Sequence, residues 1–139
     1  MKRAQGGMAA IEFAVIGGMA ITTLFASIEI GRLFYAYNAV AEATRRGAYA
    51  AATTGSAAEA QAKAVEKATF LKGLTPAKVK VEYFDLAGAP APVASAAFVT
   101  VSITGYTHFL LIPGLNLFKV MPPFATTLPA ESLGQDPDA

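Results

Sequence analysis

The amino-acid sequence predicts an α+β protein in which one long N-terminal helix carries a small antiparallel sheet. Residues 8–28 are mostly apolar and contain one charged side chain, Glu12. From residue 31 to 54 the apolar side chains recur three or four positions apart, which is the spacing of an amphipathic helix. Farther along, two stretches alternate apolar and polar residues, as half-buried strands do.

The apolar run is long enough to cross a membrane. Its 21 residues would form a helix of about 31 Å, close to the ~30 Å hydrocarbon core of a bilayer. We therefore predict a transmembrane helix over residues 8–30. Lys2 and Arg3 precede it and favour a cytoplasmic N-terminus, although three arginines between residues 31 and 46 reduce the charge asymmetry.

Small side chains recur every four residues in this helix and therefore share one face. They are Ala10, Ala14, Gly18, Thr22 and Ala26. Because small residues let membrane helices approach closely, we interpret Ala14, Gly18 and Thr22 as helix-packing positions. The alternative is that Ala and Gly are simply common in membrane helices. The Gly17-Gly18 pair also predicts local unwinding at mid-span.

Glu12 is the unusual residue of the span, because a carboxylate at bilayer depth costs roughly 2.5–3.5 kcal/mol. It either snorkels to the interface, becomes protonated, or meets a compensating charge. The segment "GGMAAIE" before and into an apolar helix resembles the class III signal of the type IV pilin superfamily. That resemblance implies peptidase cleavage between Gly7 and Met8, which removes residues 1–7 as a cytoplasmic leader. Glu12 then pairs with the freed ammonium of a neighbouring subunit and sets the register between subunits.

The next segment, "IEIGRLFYAYNAVAEATRRGAYAAATTG", is similar to the TadE-like pseudopilins of Tad (tight-adherence) pili. The matching features are a Glu-x-Gly-Arg step at residues 29–32 and an Arg-Gly-Ala end at residues 46–48, and the resemblance covers residues 5–54. The chain lacks the Pro that is common in the apolar helix of that family, and the resemblance does not separate TadE from TadF.

The resemblance implies a minor pilin or pseudopilin that assembles a Tad-type adhesive pilus. Its partners would be other pilin subunits, a prepilin peptidase, the inner-membrane assembly platform and the lipid bilayer. It would cross the inner membrane once with its C-terminus outside the cytoplasm, or enter the filament. Two alternatives remain: an uncut, membrane-anchored binding module, and a type II secretion pseudopilin, although those resemble a Gly-Phe-Thr-Leu-Ile-Glu start that is absent here.

The span is predicted to continue as a stalk helix over residues 31–54. Glu29 and Arg32 are three positions apart and are expected to pair at the membrane interface. The apolar positions of the stalk are Leu33, Tyr37, Val40, Ala41, Thr44, Ala48 and Ala51, and this face should receive the domain formed by residues 55–139. Gly55 ends the helix.

A second helix is predicted from Ser56, which forms a capping box with Glu59, to Gly73. The segments "AKVKVEYFDLAG" and "AAFVTVSITGYTHF" are expected to pair as an antiparallel hairpin. Pro122, Pro123 and Pro129 restrict the last extended segment to a sheet edge, and a flexible tail follows. The apolar stretch between them is either core or an exposed docking surface; it contains Phe109, Leu110, Leu111, Ile112, Leu115, Leu117 and Phe118.

The composition argues against several function classes. Eleven basic and ten acidic residues leave a net charge of +1, so a nucleic-acid partner is not expected. The chain has no Cys, and its single histidine, His108, has no metal-ligand spacing around it; we interpret it as a strand-end histidine. We therefore expect no metal, no cofactor and no catalysis.

Overall fold

The longest element is a single unbroken helix, α1 (Gln5–Thr54), of 50 residues. The structure is a computed structural model that describes residues 5–112 and 115–130, with side chains for residues 7–111 and 120–130. At 1.5 Å per residue, α1 is about 75 Å long. The prediction that the apolar span and the stalk form one helix is confirmed.

The prediction of local unwinding at Gly17-Gly18 is wrong. The helix passes through both glycines without a break. In addition, the Thr22 hydroxyl donates to the carbonyl of Gly18 at 2.8 Å, which gives that carbonyl a second partner. The propensity cost of a glycine, about 1 kcal/mol, is too small to open a helix whose neighbouring turns are intact.

A glycine ends α1 and a short second helix follows. Gly55 has φ +64°, and its N–H donates to the carbonyl of Ala51 at 3.0 Å. Helix α2 (Ala57–Glu66) then begins after Ser56, whose hydroxyl accepts from the N–H of Glu59 at 3.3 Å. This confirms one half of the predicted capping box.

Helix α2 is shorter than predicted, because it ends at Glu66 and does not reach Gly73. Successive three-residue turns replace it: the N–H groups of Ala68, Leu71 and Leu74 donate to the carbonyls three residues earlier. This tighter path buries Ala68 and Leu71 in the core. Burial of apolar side chains therefore overrides the helical spacing in this segment.

Three strands form the main sheet: β1 (Val79–Phe84), β2 (Phe98–Ile103) and, later in the chain, β5 (Phe124–Pro129). The order is β1-β2-β5, and β2 is antiparallel to both neighbours. The predicted pairing of the first two strands is confirmed. So is the edge position of the last strand, which avoids the loss of a ladder hydrogen bond that Pro would cause in a central strand.

The second strand is shorter than the sequence pattern predicts, because it ends at Ile103. Gly105 has φ +67°, a conformation that interrupts the strand after Ile103. The chain then forms a separate hairpin of β3 (Thr107–Ile112) and β4 (Leu115–Val120). His108 pairs with Lys119 in the register of this hairpin.

The main sheet packs directly on the stalk part of α1. The core contains Val79, Val99, Val101 and Ile103 from the sheet and Ala36, Val40, Ala43, Thr44, Ala48 and Ala51 from the helix. The buried Thr44 hydroxyl lies 2.8 Å from the Thr126 hydroxyl of β5, which satisfies both groups. The fold is therefore the predicted α+β arrangement.

The predicted stalk face is right in its main positions and wrong at Tyr37. Val40, Thr44, Ala48 and Ala51 are all buried. Tyr37 is exposed, although its ring lies edge-on to Phe124 with the ring centroids 4.5 Å apart. An amphipathic tyrosine can cover the rim of a core without entering it.

The apolar stretch after Tyr106 does not fill the core at the positions that can be judged. Phe109 is 65% exposed and Leu111 is 70% exposed, so the core interpretation is wrong for both. The side chains of residues 112–119 lie outside the described part of the chain, and so does the predicted flexible tail after residue 130.

Candidate functional site on the N-terminal helix

The first half of α1 projects from the domain with its apolar side chains uncovered. It is long and apolar enough to cross a membrane, with a mean hydropathy of 1.8 and none of its most apolar window buried. The large exposed residues lie on every side of the helix. They are Met8, Ile11, Phe13, Val15, Ile16, Met19, Ile21, Leu24, Phe25 and Ile28. Such a surface is suited to a hydrocarbon environment.

The hydroxyl groups in this half are satisfied within the helix. Thr22, Thr23 and Ser27 each donate to the carbonyl four residues earlier, at 2.8, 2.9 and 2.9 Å. In lipid, where no water is available, this arrangement avoids the cost of an unpaired polar group. Thr22 belongs to the stripe of small residues, and its hydroxyl already donates a hydrogen bond within its own chain.

Glu12 is the exception among these polar groups. It is exposed on the first turns of α1, and among the described residues it has no hydrogen-bond or ion-pair partner. Met8 lies one helical turn before it, about 6 Å along the axis. A cut in front of Met8 would place Glu12 near the positive end of the helix dipole and leave its carboxylate facing outward.

The stripe of small residues begins on the side of the helix away from Glu12. Ala14 is two positions after Glu12, which is a rotation of about 200° around the helix. Around Gly18, no atom lies within 4 Å of the position that a Cβ would take, so this face is open. The helix could thus offer a charged contact and a close-packing contact to two different neighbours.

At the end of the apolar half, three polar side chains meet between α1 and β3. Glu29 is only 4% exposed, and Arg32 Nη1 lies 2.7 and 3.0 Å from its two carboxylate oxygens. His108 Nε2 lies 3.6 Å from Glu29 Oε1 and has no hydrogen-bond partner within the described residues. The spacing of Glu29 and Arg32 predicts their pair, but nothing in the sequence predicts His108 beside it.

The surroundings of this cluster include a buried tyrosine. Burial raises the pKa of Tyr106, and the nearby positive charge of Arg32 opposes that rise. Tyr106 therefore stays protonated at neutral pH and contributes no charge. Among the described residues, no three His, Asp or Glu side chains lie close enough together to hold a metal ion.

Replacing Arg32 by methionine should destabilise the domain by about 3 kcal/mol, because it leaves the Glu29 carboxylate buried without its cation. The estimate is at the low end for a buried pair, since the Arg32 side chain is itself 41% exposed. Urea unfolding of the full chain in detergent, followed by circular dichroism, measures the loss.

Arg45→Met is the matched control for that prediction. Arg45 lies 3.9 Å from Glu42 on an exposed part of the same helix. Its removal should cost less than about 1 kcal/mol, as for other surface pairs. Equal losses for the two variants would show that the Glu29 pair does not behave as a buried one.

Gly47 is a structural position of this helix that sequence reasoning did not explain. A Cβ there would lie 3.0 Å from Val101 Cγ1 and 3.2 Å from both the Ala60 carbonyl oxygen and Ala64 Cβ. Gly47 is therefore the point where α1 approaches both α2 and β2. The Arg-Gly-Ala end at residues 46–48 is the sequence signal of this position, but it does not reveal the close packing.

Within the described part of the chain, one uncovered apolar helix is long enough to cross a membrane, and it continues into a stalk on which a small α+β domain packs. Residues 7–48 match the family model described as TadE-like protein. The N-terminal helix of this chain is thus TadE-like, which confirms the resemblance. No curated protein and no solved structure matches the chain. The family and the helix together indicate a membrane-anchored protein associated with Tad pili.

Proposed function

We propose that this chain is a minor pilin-type subunit that a prepilin peptidase cuts between Gly7 and Met8 and that takes part in assembling a Tad-type adhesive pilus. The observation that carries the proposal is the match of residues 7–48 to the TadE-like family. The matched region begins at the residue after which cleavage is expected and ends next to Gly47, where the stalk packs closely on α2 and β2.

Cleavage would create the group that Glu12 needs. It frees an ammonium at Met8, at the start of an apolar helix. Because Glu12 has no partner within the described part of its own chain, it is available to the ammonium of an adjacent subunit. Pairing of the two charges would remove most of the cost of holding each in lipid, and it would fix the axial position of one subunit against the next.

The same proposal assigns the remaining parts of the chain. Residues 8–30 would cross the inner membrane once, residues 31–54 would form the stalk, and residues 55–139 would lie outside the cytoplasm. Ala14, Gly18 and Thr22 would contact neighbouring pilin helices, and the assembly platform would receive the subunit from the bilayer. The protein would act by assembly rather than by catalysis, without a cofactor or a nucleic-acid partner.

Deletion of the coding sequence in a cell that makes Tad pili tests this function. We expect the number of surface pili to fall strongly, and a plasmid copy of the natural chain to restore it. Electron microscopy and the amount of major pilin sheared from the cells provide two independent readouts. Normal piliation in the deletion strain would contradict the proposal.

A further inference from the structure

The β3–β4 hairpin extends along α1 toward its apolar half. In β2, Val101 lies beside Gly47 of α1, with its Cγ1 3.0 Å from the position that a Cβ on Gly47 would take. Seven residues later, His108 reaches Glu29, which is 18 residues closer to the N-terminus of α1. The direction of β3 is therefore toward the candidate membrane span.

The remaining length of β3 is enough to pass alongside that span. Residues 109–112 add about 13 Å at the rise of a strand, which equals roughly nine residues of α1. Contacts between α1 and β3 hold the hairpin at the helix. The far end of β3 therefore reaches the level of the outer part of the apolar half.

The two faces of β3 differ in the way that a lipid-facing strand requires. His108 is buried against the helix, whereas its neighbours on the other face, Phe109 and Leu111, are 65% and 70% exposed. Phe25, Ile28 and Ile30 of α1 are also exposed. The hairpin and the helix thus present exposed apolar surface at the same levels.

The charged residues of the hairpin are also unevenly placed along its length. Residues 109–118, "FLLIPGLNLF", contain no charged side chain. Lys119 pairs in register with His108 at the base of the hairpin, level with Glu29 and Arg32. Arg32 and Lys72 line the same cleft as Phe109 and Leu111, so cationic residues border the apolar surface as they do in a headgroup region next to hydrocarbon.

We propose that the β3–β4 hairpin is a second membrane-contacting element, which places Phe109 and Leu111 in the outer leaflet beside α1. The proposal rests on the membrane span assigned under the proposed function. It commits to the lipid bilayer as the occupant of this surface, because the apolar face continues the surface of the span and is bordered by the cationic residues Arg32 and Lys72. Such a second contact would hold the domain at a fixed height and orientation on the membrane.

The absence of tryptophan from the chain makes a direct test possible. The full-length Phe109→Trp protein is reconstituted into vesicles of phosphatidylethanolamine and phosphatidylglycerol, with or without brominated acyl chains. We expect a blue-shifted emission that brominated lipid quenches strongly and aqueous acrylamide quenches weakly. Leu111→Trp, on the same face, repeats the measurement at a second position and should give the same result.

Two further single-tryptophan variants serve as controls. Leu86→Trp, at a residue 86% exposed in the connection after β1, should respond to acrylamide and not to brominated lipid. Phe13→Trp reports on the span itself and should be quenched by brominated lipid. Loss of quenching at Phe13 would overturn the proposed anchor and with it the hairpin proposal.

If Phe13→Trp is quenched by lipid while the tryptophans at 109 and 111 behave like Leu86→Trp, the hairpin proposal is wrong and the anchor stands. Tryptophans at 109 and 111 that are shielded from both quenchers would indicate that a second copy of the chain covers the hairpin. That outcome would also overturn the proposal.

Discussion

A Glu12→Ala subunit is expected to enter the membrane and to be cut at Gly7, but to disappear from sheared pili. The substitution leaves the ammonium of the neighbouring subunit without its counter-charge at bilayer depth. An unpaired charge there costs about 3 kcal/mol, which corresponds to a roughly hundredfold loss of incorporated subunit. Quantitative blotting of the subunit in sheared filaments and in membranes measures the ratio.

Glu12→Gln is the matched variant for this experiment, because it keeps the size and a hydrogen-bonding group but removes the charge. Charge pairing predicts that it assembles nearly as poorly as Glu12→Ala. If Glu12→Gln assembled normally, a hydrogen bond would be sufficient and the pairing argument would fail. Equal membrane levels and complete cleavage of all three proteins would show that only assembly is affected.

Gly47→Ala is expected to destabilise the domain even though alanine is the better helix former. The added Cβ meets Val101, the Ala60 carbonyl oxygen and Ala64 at 3.0 to 3.2 Å, and the carbonyl is held within α2. Overpacking of this kind costs about 1–3 kcal/mol, and the gain in helix propensity, about 1 kcal/mol, offsets part of it. Gly47→Leu should destabilise the domain more than Gly47→Ala does and give little folded protein.

Gly31→Ala provides the control on the same helix. No atom lies within 4 Å of its Cβ position, so only the propensity gain remains. It should leave the free energy of unfolding unchanged or raise it by up to about 1 kcal/mol. Urea unfolding of the full chain in detergent compares the two substitutions, and a Gly47→Ala protein as stable as Gly31→Ala would contradict the packing argument.

The long helix and the three-stranded sheet could be predicted because their sequence patterns coincide with their burial. Val40, Thr44, Ala48 and Ala51 recur at the spacing of a helix face, and that face is the one buried under the sheet. The alternating valines of the first two strands likewise predict both the strands themselves and the faces that point toward the core. In these segments local preference and tertiary packing agree.

The segments that could not be predicted depend on long-range packing or on backbone conformation. The end of α2 is set by the burial of Leu71, which the local pattern does not reveal. The break at Gly105 needs a positive φ, and the alternation of polar and apolar residues hides it. That break creates a second hairpin, which brings His108 close to Glu29. The sequence therefore could not predict this contact either.

In the candidate site, too, some residues can be predicted from the sequence and others cannot. Gly7, Met8 and Glu12 form a local motif whose spacing is readable in the chain, and all three residues are exposed on α1. The role of Gly47 depends on contacts with Ala60 and Val101, residues far away in sequence. A local motif can therefore be read directly, whereas a packing position needs the folded chain.

Determination of the N-terminus of the membrane-bound protein tests the central claim most directly. The full chain is expressed with and without a prepilin peptidase, alongside a Gly7→Val variant that should resist cleavage, and each product is characterised by intact mass and N-terminal sequencing. We predict a chain that begins at Met8 only when the peptidase and Gly7 are both present. Protein that still begins with the basic leader in the presence of an active peptidase would contradict the account.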